Sequence, residues 1–180
     1  YVADTKAADR VGGADRNMDF VKQMQQQALV LLKNENNILP LDKRQIRKVL
    51  VTGPLADEDN FMTSRYGPNG LETVTVLAGL RNYLKGIAEV DYAKGCDIVD
   101  AGWPATEILP APMSEQEKQG IAEAVAKAGE SDVIIAVLGE DEYRTGESRS
   151  RTSLDLPGRQ QQLLEALHAC LLYTSDAADD

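Results

Sequence analysis

At 180 residues, with 43% hydrophobic and 27% charged residues, the chain has the size and composition of one globular domain able to bury a substantial core. Its formal net charge of −10 argues against a nucleic-acid or anionic-membrane partner, because binding phosphate needs clustered cations. No apolar run approaches the length of a membrane span.

Residues 1–16, polar and interrupted by Gly12-Gly13, read as a linker. Val21, Met24, Ala28 and Leu31 then recur at helical spacing, which predicts a helix over 17–34 with Asn17 as its N-cap. Asn34, Asn36, Asn37 and Pro40 end it. KVLVTG (48–53) is the first strand, and Pro54 prevents direct continuation into a helix. A loop over 60–71 carries Gly67-Pro68 and Asn69-Gly70. Leu77, Leu80 and Leu84 mark a helix over 75–85, closed by Gly86. The second strand is 89–93.

Residues 101–112 hold three prolines and the one tryptophan, Trp103, and read as a surface connection. Ser114 and Glu117 form a capping-box pattern ahead of Ile121, Ala124, Val125 and Ala128, with Gly129 as the stop. The apolar run 133–138 is the third strand. After a charged loop, Pro157 and Gly158 start a helix with Leu163, Leu164 and Leu167 on one face. The glutamine triplets 25–27 and 160–162 read as helix surface. The tail CLLYTSDAADD (170–180) breaks the preceding pattern and reads as the translation of a sequencing adapter, so it is set aside from the fold. That leaves Cys96 as a small buried residue.

Strands alternating with helices define an α/β fold: a mostly parallel sheet with helices on both faces, a flavodoxin-like sandwich cut short at three strands. Ligands of such sheets sit beyond the carboxyl ends of the strands. GPLAD after the first strand lacks the phosphate-binding glycine patterns, and Pro54 removes an amide that a phosphate cradle would use. One histidine, His168, and one cysteine cannot build a zinc site, so no metal and no cofactor is expected. A serine triad is ruled out by the lack of a second histidine and of a nucleophile elbow.

What remains is the loop 140–151, with Glu140, Asp141, Glu142 and Glu147 interleaved with Arg144, Arg149 and Arg151. Exposed charge pairs contribute little stability by themselves. This loop, however, leaves the carboxyl end of a buried strand, and a carboxyl group is the usual proton donor in glycosidic bond cleavage.

The segments ALVLLKNENNILPL, KVLVTGPLAD, VTVLAGL, YAKGCDI, SDVIIAVLGE and TGESRSRTSLDLPGRQQQLLEAL occur in this order. Together they resemble the C-terminal α/β sandwich domain of family 3 glycoside hydrolases, over roughly 19–169, and most closely the periplasmic bacterial β-glucosidase and β-xylosidase branch. The resemblance implies a retaining exo-β-glycosidase that hydrolyses terminal β-linked sugars. In that family a preceding (β/α)8 barrel supplies the nucleophile, and this domain supplies the acid/base glutamate. Carried over, Glu147 is the candidate acid/base, Glu142 the second candidate, and Arg151 a residue orienting substrate or loop. Lys33-Asn34 of the LLKN segment reads as structural. The expected partners are a β-linked oligosaccharide or glycoside and the barrel of the same chain. The implied location is periplasmic or secreted, and the chain alone is expected to be inactive. The competing reading is a non-catalytic α/β module that binds carbohydrate or another small ligand.

Overall fold

The computed structural model describes residues 4–12, 15–59, 66 and 73–176. It divides into two compact units, 1–41 and 42–180.

The first unit contains helices α1 (Thr5–Gly12) and α2 (Asp15–Ala28). Helix therefore reaches into the stretch read as linker, and Asn17 lies inside α2 rather than capping it. Nor does α2 continue to residue 34. Leu29, Val30, Leu31 and Leu32 are irregular and exposed; apolar at every position, they present no single helical face. A short 3-10 turn, Glu35–Asn37, follows, with Asn36 and Asn37 at φ 55 and 53. Asparagine tolerates this left-handed region better than other side chains. The Asn34 carboxamide brackets the turn, accepting from Leu39 N–H at 2.9 Å and donating to Leu39 C=O at 3.0 Å. The structural role expected of Asn34 has this as its mechanism.

The second unit is built on strands β1 (Lys48–Thr52), β2 (Glu89–Ala93) and β3 (Val133–Ala136), with helices α3 (Val76–Tyr83), α4 (Ala105–Ile108), α5 (Glu115–Ala128) and α6 (Gln160–Asp176). The sheet is parallel, in the order β2-β1-β3. The chain steps from β1 out to β2 and then back across β1 to β3. Right-handed crossovers therefore place α3 and α5 on opposite faces. β1 is the central strand, and Val49, Leu50, Val51 and Thr52 are all buried. Leu50 joins Ala93, Ile121, Ala124, Leu163 and Leu167 in the core under α5 and α6. Val49 and Val51 point to the other face by alternation. Leu50 and Leu163, both 0% exposed, each stabilise the domain by about 1.5–3 kcal/mol through removal from water. β3, the apolar run behind the loop, is only half-buried, and among the described residues it pairs with β1 alone.

The helix starts are capped, at α5 by the predicted capping box and at α3 by Thr75, which was not singled out as a cap. Thr75 accepts from Ala78 N–H at 3.1 Å ahead of α3. Ser114 and Glu117 make the reciprocal capping box of α5. At the opposite end of the sheet from the loop, the Asp132 carboxylate accepts from Arg47 N–H at 2.8 Å and Lys48 N–H at 2.9 Å, fixing the start of β3 against the start of β1.

Candidate active-site loop

The crest above the strands is stitched together by backbone. Gly53 donates to Lys94 C=O at 3.1 Å, and Leu55 donates to Val137 C=O at 3.4 Å, so the turn after β1 touches the exits of both neighbours. Gly53 has φ +104, and a Cβ there would lie 2.3 Å from Val137 O. Only glycine lets the three exits converge this closely. A cleft of about 350 Å³ opens at this crest, lined by Pro54, Glu58, Asp97, Asp141, Tyr143 and Arg144 among others. A larger cleft, about 460 Å³, lies beside the start of α5 and includes none of residues 140–151.

The loop begins as a tight turn around Asp141, which is 4% exposed. Its carboxylate accepts from Tyr143 N–H at 3.0 Å and pairs with Arg144. Its carbonyl accepts from Arg144 N–H at 3.1 Å and the Thr145 hydroxyl at 3.0 Å. Glu142, the second candidate, is half-buried beside this turn. Glu147, the first candidate, is exposed at the tip. Gly146 at φ +104 and Ser148 at φ 62 turn the backbone on either side of it, and Glu147 N–H donates to the Tyr66 hydroxyl at 3.1 Å. Apart from Tyr66, the loop predicted over 60–71 lies outside the described residues.

Arg151 is nearly buried, with its side chain 11% exposed. It donates from Nε to Glu107 at 2.8 Å and from Nη2 to Asp155 C=O at 2.9 Å, and it pairs through Nη1 with Glu140. Its guanidinium stands 5.2 Å from the Trp103 ring centre, and that of Arg144 stands 5.6 Å from it, within the range of cation–π attraction. The Arg151 bond holds the Glu107 carboxyl below its ordinary range. These partners suit the loop-orienting alternative for Arg151.

Residues 101–112 are therefore more than a surface connection. They include α4, which presents Glu107, and they hold Trp103 against two loop arginines. The glutamine of the LPGRQ motif departs further from its expected place. Gln160 is 0% exposed rather than helix surface. It accepts from Gly139 N–H at 2.8 Å and donates to the carbonyls of Gly139 at 2.9 Å, Ile98 at 3.0 Å and Pro157 at 3.2 Å. Arg159 beside it is buried too, bonded to Glu117 of the capping box at 3.0 Å and to the Ala111 carbonyl at 2.9 Å. Gly158, at φ +64, sits so close to the chain after β2 that a Cβ would be 2.7 Å from Val99 Cα. A run of glutamines reads as polar surface; the signal that marked Gln160 was its place directly after Pro-Gly-Arg at a helix start.

Among the described residues no group of three or more His, Cys, Asp and Glu is placed to hold a metal ion, and no helix is long and apolar enough to cross a membrane.

A parallel sheet with helices packed on it defines an α/β domain, and in this class ligands sit beyond the carboxyl edge of the sheet. The chain belongs to glycosyl hydrolase family 3: residues 29–171 match the model of that family's C-terminal domain. It is 34% identical over 162 residues to a β-xylosidase of Formosa agariphila, covering 87% of this chain and 20% of the relative. It is also 34% identical over 175 residues to the periplasmic β-glucosidase of Salmonella typhimurium, covering 92% and 22%. A solved β-glucosidase structure from Erythrobacter marinus superposes with a TM-score of 0.72 at 33% identity, over 93% of this chain and 24% of the other. The chain thus spans about a fifth of the length of the curated relatives it matches.

Proposed function

We propose that this chain is the acid/base-bearing domain of a retaining exo-β-glycosidase that removes terminal β-linked sugars, with Glu147 as the proton donor. The observation that carries this reading is the placement of Glu147: exposed at the tip of a loop that rises from the carboxyl end of β3 and is braced at its base by Arg151. A carboxyl group so placed can reach a glycosidic oxygen held above the sheet. The names of the relatives, β-glucosidase and β-xylosidase, support the substrate class, and the Salmonella relative supports a periplasmic or secreted location.

In this mechanism protonated Glu147 gives its proton to the leaving oxygen while an aspartate of a (β/α)8 barrel in the same enzyme attacks the anomeric carbon. The glycosyl–enzyme ester is then hydrolysed by water that ionised Glu147 activates, returning the proton to Glu147. Arg151 takes no part in proton transfer and fixes the loop. Because the nucleophile is assigned to the barrel, the 180-residue chain alone is inactive.

The deciding experiment is Glu147→Ala in the full-length enzyme. Hydrolysis of an alkyl β-glycoside falls by roughly two to four orders of magnitude, the usual scale for removing a general acid–base, and Glu142→Ala changes it far less. The opposite ranking transfers the role to Glu142. Wild-type rates in both variants refute the reading.

A further inference from the structure

We propose that residues 100–108 are a positioning element for the acid/base loop, in which Glu107 and Trp103 hold Arg151 and so set where Glu147 stands over the substrate. This rests on the assignment of Glu147 as proton donor, and it gives a role to a segment that carries no reacting group.

The loop segment bearing Glu147 is bracketed by Arg144 and Arg151, and both guanidinium groups lie against the ring of Trp103, at 5.6 and 5.2 Å. One aromatic side chain from outside the loop thus contacts it on both sides of Glu147. Glu107 completes the hold: its Oε1 accepts from Arg151 Nε at 2.8 Å and from Thr152 N–H at 3.3 Å. The Glu107 and Arg151 side chains are 9% and 11% exposed. An ion pair this sheltered keeps its geometry only while both partners stay, since either one alone is a poorly solvated charge.

The platform is itself fixed. The Asp100 carboxylate accepts from Gly102 N–H and the Thr106 hydroxyl, both at 2.8 Å, closing the turn that leads into α4. Gly102 packs so tightly there that a Cβ would be 2.3 Å from Thr106 Cγ2. Proton donation depends on the donor lying within hydrogen-bond reach of the leaving oxygen, and a displacement of about 1 Å can cost on the order of a hundredfold in rate. A contact that sets the loop therefore acts through the donor.

The test compares leaving groups in the full-length enzyme. An alkyl glycoside needs protonation of its leaving oxygen, whereas a dinitrophenyl glycoside departs without it. For Glu107→Gln, kcat/KM on the alkyl substrate is expected to fall about tenfold to a hundredfold, with the dinitrophenyl substrate within about threefold of wild type. Equal losses on both substrates, or loss on neither, overturn the proposal. Glu147→Ala run in parallel separates the two assumptions. If it shows no dependence on the leaving group, the assignment of Glu147 fails; if it does and Glu107→Gln does not, the positioning role fails. Where Glu107→Gln does not fold, Glu107→Asp, which keeps the charge one methylene short, is read in the same way.

Discussion

The Gln160 carboxamide both accepts from the Gly139 N–H and donates to the Gly139 carbonyl, at 2.8 and 2.9 Å. A side-chain amide thus pairs with a main-chain residue as a neighbouring strand would, at the point where β3 gives way to the loop.

Gln160→Ala removes both bonds and leaves the carbonyls of Ile98 and Pro157 short of a donor. Unmet polar groups of this kind cost about 1–3 kcal/mol, so we expect a loss of roughly 2–4 kcal/mol in urea unfolding. Gln160→Glu keeps the shape and reverses the chemistry, since an ionised carboxylate cannot donate to three carbonyls. It should be at least as destabilising near neutral pH. A milder effect for Glu than for Ala would show that the donor side of Gln160 matters little.

Gly158 and Gly86 give a matched pair. Both have positive φ, +64 and +77, but a Cβ at Gly86 meets nothing within 4 Å, whereas at Gly158 it meets Val99 Cα at 2.7 Å. Gly86→Ala should cost about 1–2 kcal/mol, from backbone conformation alone. Gly158→Ala should cost more and should shift the amide resonances of Ile98 and Val99. Equal costs would mean that the Val99 segment yields freely.

The backbone donors of Arg47 and Lys48 hold the Asp132 carboxyl below its ordinary value of 3.8. A folded-state value lower than the unfolded one makes the contribution complete above about pH 4, and it is lost as pH falls through the folded value. Asp132→Asn should lower the melting temperature by a few degrees at pH 7 and flatten the acid limb of the stability profile below pH 4. A parallel vertical offset at all pH values would contradict this linkage.

Burial pushes the Cys96 thiol from 9.0 up to about 12. Here the sign is reversed: the neutral thiol suits the folded state, so its contribution is complete below about pH 9 and fades as pH rises toward 12. Cys96→Ala should remove that part of the alkaline slope, at a cost of about 1 kcal/mol near neutrality for the lost packing. Identical alkaline slopes in the two proteins would refute it.

The sheet was legible because β1 and β3 are short apolar runs and β2 alternates before Lys94-Gly95, and the capping box at Ser114 follows a local rule that acts within four residues. The end of α2 was not, because Leu29 to Leu32 are apolar without a helical period. The site was half legible. A charged loop after an apolar strand marks itself, and the proposal of Glu147 rests on its motif. The contacts of Gln160 with Gly139, 21 positions away, and of Glu107 with Arg151, 44 away, could not be read, since spacing alone does not bring such residues together.

The bonds of Gln160 to Gly139 and to the Pro157 carbonyl also mean that the loop enters and leaves at one side chain. It behaves as a cassette with a shared clasp. Lengthening a loop between fixed ends costs only about 0.6 kcal/mol per doubling. Residues 140–156 could therefore be exchanged for a longer or shorter segment without re-engineering the sheet, provided the clasp is kept. Variation in the reach of the loop can arise there while the scaffold stands still, which makes this clasp the natural pair of splice points for anyone redesigning the loop.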